Sequence, residues 1–329
     1  MSPTSVRRLI PDPFVMQSLA DIKGILESQG LRPNKSLGQN FLIEPAHVTR
    51  LVDAAALAPG DLVLEVGPGT GVLTDVLLEH GCRVVACELD RGLAAMLRQR
   101  YAHHAREQRF TLVEGDCLAS KHELNPELLH ALDARPFKLV ANLPYGAASP
   151  LMIALATRFH PFRAPPAPST SPPTPSDASR PVEHAPCLGQ FVTIQREVAQ
   201  RLRAAPNTRD FGEMGVLVQA MCEVQRLALL PPGCFWPAPK IDSEMVSIIP
   251  RARPLTNDPA ALADLCRLLF TQRRKQLGAI LRHDHPHLLT NLPAGVAPSA
   301  RPESLSVAHL VELAGARRTS SEPAQRDQK

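Results

Sequence analysis

From Leu62 to Asn142 the chain alternates short runs of strand-forming residues with stretches of helical character, and this alternation narrows the fold more than any other feature. The runs are 62–66, 83–87, 109–113 and 137–141, and helical stretches such as 72–79 and 92–101 lie between them. Strand, helix, strand at this spacing reads as βαβ units, which build a parallel sheet covered on both faces. Ligands of such sheets sit at the carboxyl ends of the strands, so the residues that follow each run are where chemistry is expected.

The first strand tip is Glu65-Val-Gly67-Pro-Gly69-Thr-Gly71, directly before a helical stretch. Glycines there let the backbone turn tightly and approach a ligand with no Cβ in the way. A dinucleotide loop has glycines at its first, third and sixth positions, whereas here the sixth is Val72 and the last glycine comes one residue early. That spacing resembles the glycine loop of class I S-adenosylmethionine-dependent methyltransferases, in which no pyrophosphate is cradled. The second tip carries Glu88, 21 residues after Gly67, where a carboxylate accepts from two ribose hydroxyls. The third carries Asp116, placed to accept from the exocyclic amine of an adenine. Either acid alone reads as a solvated loop residue or a helix cap. Glycine-rich, acidic and acidic tips on three successive strands read as a nucleoside site.

The fourth run ends in Asn142-Leu-Pro-Tyr145, which resembles the motif of methyltransferases that act on an exocyclic amino group. The amine of adenine is a poor nucleophile because its lone pair is delocalised into the ring. Two acceptors, the Asn142 side-chain oxygen and the Leu143 carbonyl, can hold its two N–H groups so that the lone pair turns toward an incoming methyl group. Pro144 stiffens the turn and brings no competing N–H. Tyr145 offers a face on which a base can stack, a contact of about 1–3 kcal/mol per base.

Five segments occur in a recognisable order: Lys35-Ser-Leu-Gly-Gln-Asn-Phe-Leu42, Asn142 to Tyr145, Gln195-Arg-Glu-Val-Ala-Gln-Arg-Leu202, Pro231-Pro-Gly-Cys-Phe-Trp-Pro-Ala-Pro-Lys-Ile-Asp-Ser243 and Phe270-Thr-Gln-Arg-Arg-Lys275. From about Leu19 to Ala314 the chain thereby resembles the small-subunit (16S) ribosomal RNA adenine N6,N6-dimethyltransferases, the KsgA family. The resemblance implies an α/β fold: a Rossmann-like class I methyltransferase with a mixed seven-stranded sheet and a small α-helical C-terminal domain. It implies S-adenosylmethionine as cofactor, held by Asn40, Leu42, Gly67, Glu88, Asp116 and Asn142. It further implies that Asn142, Leu143, Pro144, Tyr145 and Phe235 surround the target adenine, with Tyr145 and Phe235 as its two aromatic faces. The residues themselves point to Gly67, Glu88, Asp116 and Asn142; Asn40, Leu42 and Phe235 rest on the resemblance. The implied reaction dimethylates two adjacent adenosines in a hairpin loop near the 3′ end of small-subunit ribosomal RNA, within a pre-30S particle and as part of ribosome biogenesis. The sequence departs from the family at Gly146-Ala-Ala-Ser-Pro150, where an Asn and a β-branched residue usually follow the tyrosine. Rival readings are a large-subunit dimethyltransferase of the antibiotic-resistance type, a non-enzymatic assembly or transcription factor, and a nicotinamide oxidoreductase. Val72 and the Asn142 to Tyr145 tip disfavour the last.

The chain holds 33 prolines among 329 residues, about twice the usual ~5% share. Nine of them fall in 161–186 among Ser, Thr and Ala, a composition that cannot offset the entropy of ordering, so a disordered insertion that loops away from the site is expected there. The expected organisation is an N-terminal extension and helix (1–33), the methyltransferase domain (34–250) with that insertion, a helical C-terminal RNA-binding domain (251–316) and a disordered tail (317–329). Within it, 188–194 and 215–222 read as strands flanking a helix at 196–203. The 260–282 stretch reads as one helix, and 305–314 as a last helix capped by Ser304.

The net charge of +4 divides into −1 for residues 1–186 and +5 for the remainder, so an RNA contact is expected toward the C-terminus, around Arg273-Arg274-Lys275. Seven scattered cysteines with no Cys-x-x-Cys argue against a disulfide framework and against a zinc site, and no metal is expected. Arg7-Arg8 is followed by Pro11, Asp12 and Pro13 rather than by an apolar core, and no uncharged apolar run approaches the ~18 residues of a membrane span. A cytoplasmic monomer with no membrane contact is the expectation.

Overall fold

The computed structural model describes residues 16–120, 123–161 and 185–319. Seven strands form its main sheet: β1 (Leu62–Val66), β2 (Arg83–Glu88), β3 (Phe110–Glu114), β4 (Phe137–Asn142), β5 (Cys187–Gln195), β6 (Cys222–Leu230) and β7 (Ser243–Pro250). Their spatial order is β3-β2-β1-β4-β5-β7-β6. The first five pair in parallel, and β7 runs antiparallel to both its neighbours, so the sheet is mixed as the family resemblance implies.

Side-chain alternation along the central strands divides the interior into two cores. Leu62, Leu64 and Val66 of β1, Val85 and Cys87 of β2 and Leu139 and Ala141 of β4 face one side, together with the helices Pro126–Leu132, Tyr145–Arg158 and Arg196–Leu202. Val63, Val84, Ala86 and Val140 face the other, under the helices Leu19–Ser28, Pro45–Ala54, Val72–Glu79 and Arg91–Arg100. All five residues of β1 are buried, which is why the run is apolar on both faces save for Glu65. The Leu19–Ser28 helix belongs to this second core through Ile22 and Leu26, and Ser18 and Asp21 close a capping box at its start. A third core gathers the C-terminal helices Pro259–Phe270, Leu277–Leu281, Pro286–Thr290 and Val307–Thr319.

Four sequence expectations are corrected here. Residues 215–222 are not a strand: Glu213–Met221 is a helix, and the strands that follow β5 are β6 and β7. This helix lies between two cores, with Val218 and Met221 in the first and Val216, Leu217 and Ala220 in the third. Burial on all sides erases the helical period that would have marked it. A Cβ at Gly215 would come within 2.4 Å of the Arg201 carbonyl, so the helix can approach its neighbour this closely only with glycine there. The 260–282 stretch is two helices, broken after Phe270 where Arg273 turns inward to Glu303 and to the carbonyls of Thr208 and Arg209. The last helix is capped by Ser306, whose hydroxyl accepts from the His309 N–H (3.1 Å), while Ser304 sits in a preceding single turn. That helix continues to Thr319, into the stretch assigned to a tail.

Most of the proline-rich insertion, residues 162–184, lies outside the described residues. The chain leaves and rejoins the fold at the amino ends of β4 and β5, where Cys187 N–H donates to the Phe159 carbonyl and Phe137 N–H to that of Pro186. Asn142 is at the opposite end of β4. No helix among the described residues is long and apolar enough to cross a membrane.

Candidate active site

A cavity of about 460 Å³ opens at the carboxyl ends of β1, β2, β3 and β4. Gly67 to Thr70, Glu88, Asp116 and Asn142 to Tyr145 line it, and the segment from Ser36 to Leu42 covers it. Every cofactor residue named from the sequence, Asn40, Leu42, Gly67, Glu88, Asp116 and Asn142, is in this lining, as are Leu143, Pro144 and Tyr145.

The glycine loop is shaped by what stands against it. Gly67 has φ +72°, and a Cβ there would meet Pro144 Cγ at 2.9 Å, so the loop and the Asn142 to Tyr145 tip can touch only over a glycine. Gly71 has φ +89° and is overlain by Tyr101, whose hydroxyl donates to Asp75 (2.6 Å). Glu88 is buried, and its two oxygens accept from the N–H groups of Gly69 (3.2 Å) and Asp90 (2.9 Å). A carboxylate has about four acceptor positions. The backbone contacts fix the group in place and leave acceptor capacity toward a ligand's hydroxyls. Burial pushes the Glu88 carboxyl above its ordinary range. Asp116 is exposed at the cavity rim, with Oδ1 accepting from the Leu118 N–H (2.9 Å).

Asn142 donates through Nδ2 to the backbone carbonyl of Asn40 at 2.8 Å. A carbonyl only accepts, so the amide nitrogen must face Asn40 and the side-chain oxygen is left as the acceptor on its other side. The covering segment thus sets which end of Asn142 is available. Its own geometry is fixed by Asn34, whose N–H donates to Gln39 Oε1 (2.7 Å), by Asn40 Nδ2 donating to Gly38 (2.9 Å), and by a two-residue antiparallel ribbon pairing Phe41 with Trp236 and Leu42 with Phe235.

Phe235 is the residue the structure does not bring to the site. It is 3% exposed, packs in the second core with Leu230 and Met245, and does not line the cavity. Its neighbour Trp236 is the more accessible ring, stacked on Phe41 with the Lys23 ammonium 5.4 Å from its centre. The basic run at 273–275 divides: Arg273 is engaged with Glu303, whereas Arg274 and Lys275 are exposed. Among the described residues, His103, His104 and Glu107 form one group with ligand atoms within 4.8 Å of one another, and none of them lines the cavity.

Glu65, just before the glycine loop, is a site residue that no sequence expectation covers. It is 2% exposed, lines the cavity, and accepts from the Thr74 hydroxyl (2.6 Å). Burial, reinforced by the nearby Asp75 and Glu88, outweighs that hydrogen bond and raises its carboxyl to about 8. The signal was present in the sequence, as a lone charge inside the apolar run 62–66.

The mixed sheet with a glycine loop and acidic tips at its carboxyl edge defines a class I S-adenosylmethionine-dependent methyltransferase. A dimethyladenosine transferase from Plasmodium falciparum has the same fold, with a TM-score of 0.60 at 23% identity over 83% of this chain and 95% of that one. The pattern of the family described as ribosomal RNA adenine dimethylase matches residues 30–315. Proteins named ribosomal RNA small subunit methyltransferase A are similar along nearly their whole length: that of Streptomyces coelicolor is 34% identical over 92% of this chain and 98% of its own, and that of Kineococcus radiotolerans 36% over 93% and 95%. The chain belongs to the ribosomal RNA adenine dimethylase family.

Proposed function

We propose that the protein transfers methyl groups from S-adenosylmethionine to N6 of two adjacent adenosines in a hairpin loop near the 3′ end of small-subunit ribosomal RNA, two to each base. The observation that carries the reading is the Asn142 amide, turned by the Asn40 carbonyl so that its oxygen is the free acceptor, on the tip that also holds Leu143 and Tyr145. The names of the similar proteins supply the substrate class.

The residues present fit the cofactor. Glu88, fixed by the N–H groups of Gly69 and Asp90, would accept from ribose hydroxyls, Asp116 at the rim would accept from the adenine amine, and Gly67 lines the same cavity. Asn40 and Leu42, which line the cavity from the covering segment, would hold it from that side. The cofactor supplies an electrophilic methyl group on a sulfonium. On the substrate side, the Asn142 oxygen and the Leu143 carbonyl accept from the two N–H groups of the target amine and turn its lone pair toward that methyl. The Leu143 N–H is engaged with the Thr193 carbonyl (3.1 Å), which anchors the peptide that presents this second acceptor. Tyr145 stacks on the base, and the proton shed by the methylated nitrogen passes to water. The adenine must be unpaired or flipped to reach this depth, which restricts the target to a loop or an opened helix end.

The reading places the protein in the cytoplasm, acting as a monomer on a pre-30S particle, with the C-terminal helical part and its exposed Arg274 and Lys275 against RNA phosphates. It is tested by incubating the protein and S-adenosylmethionine with small-subunit RNA, free and as a particle, and reading the 3′ end by primer extension or mass. Two adjacent dimethylated adenosines are expected, and methylation elsewhere or none at all would overturn the assignment.

A further inference from the structure

Ser243, the last residue of the 231–243 segment, has no part in the chemistry described above. It opens β7 and is 1% exposed, and its Oγ lies 3.3 Å from the Tyr145 hydroxyl, 98 positions away in the chain. Among the described residues neither hydroxyl has a second hydrogen-bond partner. Ser243 is held inside the sheet, opposite Gln195 of β5 and Leu230 of β6, so its hydroxyl is mounted on a fixed frame. Tyr145 is different: it is the first residue of its helix and partly exposed at the cavity, with Pro144 fixing the backbone before it, and among the described residues its hydroxyl bonds no residue of its own helix. On another side the ring passes Gly38 of the covering segment, where even a Cβ would stand 3.9 Å from Tyr145 Cδ2.

We propose that Ser243 is a positioning residue: its buried hydroxyl tethers that of Tyr145 and holds the ring at the angle at which a target adenine stacks with its amine against Asn142 and Leu143. The inference rests on the reading of Tyr145 as the stacking face. A stacked base copies the plane of the ring beneath it, and small errors of orientation between reacting groups cost rate steeply. The tether therefore acts on turnover rather than on capture of the RNA, which docks through a much larger surface.

Tyr145→Phe keeps the ring and removes the tether from one side; Ser243→Ala removes it from the other. Each should lower kcat on the ribosomal particle by about three- to tenfold, the worth of one neutral hydrogen bond, with KM for RNA and affinity for S-adenosylmethionine unchanged. The double variant should be no slower than either single one, because both delete the same interaction. Additive losses, or a Tyr145→Phe enzyme with full kcat, would overturn the tether. A second readout does not need activity. The chain has two tyrosines, so 3-fluorotyrosine labelling gives two ¹⁹F signals, and the one lost in Tyr145→Phe is that of Tyr145. Ser243→Ala should shift or broaden that signal and leave that of Tyr101, which is 3% exposed, in place. An unmoved Tyr145 signal overturns the inference even if the protein methylates RNA. A moved signal in a protein that methylates no RNA leaves the tether standing and overturns the substrate reading instead.

Discussion

Glu65 gives the cofactor-free protein a pH dependence that one substitution removes. Its carboxyl is raised from 4.5 to about 8, chiefly by burial. A raised acid binds its proton more tightly in the folded state than in the unfolded chain. Its contribution to stability is therefore complete below the unfolded value and is lost progressively as pH rises to the folded one. Between those limits the loss approaches about 1.4 kcal/mol per pH unit, and over the whole window it reaches about 5 kcal/mol. Gln in place of Glu65 imitates the protonated form, since its oxygen can accept from the Thr74 hydroxyl that now donates to Glu65. Urea unfolding of the wild type and Glu65→Gln should give nearly equal stabilities at pH 5. By pH 8 the variant should be the more stable by several kcal/mol, and subtraction removes the contribution of groups that titrate independently of Glu65. Parallel stability curves from pH 5 to pH 8 would show that Glu65 does not titrate in this window and would refute the argument from burial.

Three other substitutions have expected outcomes. Gly71→Ala places a Cβ 2.1 Å from the Tyr101 hydroxyl at a φ of +89°, so it should lower stability by about 1–3 kcal/mol from backbone strain alone; Tyr101→Phe in the same chain should recover only the part due to the clash, as thermal unfolding will show. Arg203→Ala leaves the carboxylate of Glu244, 1% exposed, without its ion-pair partner, and should cost about 3–5 kcal/mol in urea unfolding, much of it recovered by adding Glu244→Gln. Asn142→Ala and Tyr145→Ala should each abolish methyl transfer to RNA while the unfolding midpoint stays close to wild type; dimethylation retained by either would sink the mechanism.

The parallel half of the sheet is legible because its central strands are buried on both faces and because glycine-rich and acidic tips follow one another at its carboxyl edge. Gly67, Glu88 and Asn142 each directly follow an apolar run, Asp116 comes three residues after one, and the fold brings all four to one cavity. The antiparallel edge was harder. The Glu213–Met221 helix hides its period by being buried against two cores, so its apolar residues resemble a strand in sequence. Pairing of Phe41 and Leu42 with Trp236 and Phe235 spans almost two hundred residues and only two positions of ladder, a scale on which sequence periodicity says nothing. The same pairing buries Phe235 in the second core, and it is not among the residues that line the cavity. Ser243 could be found only through register, because its role depends on where β7 begins relative to the helix that starts at Tyr145.

The central claim is that this cavity methylates two neighbouring adenosines by orienting their amines with Asn142. Mass spectrometry of the 3′-terminal fragment of small-subunit RNA, taken from particles incubated with S-adenosylmethionine and either wild-type or Asn142→Ala protein, tests it most directly. The account predicts four added methyl groups on two adjacent adenosines with the wild type and none with the variant. An unmodified fragment with the wild type, or equal modification by both proteins, would contradict it.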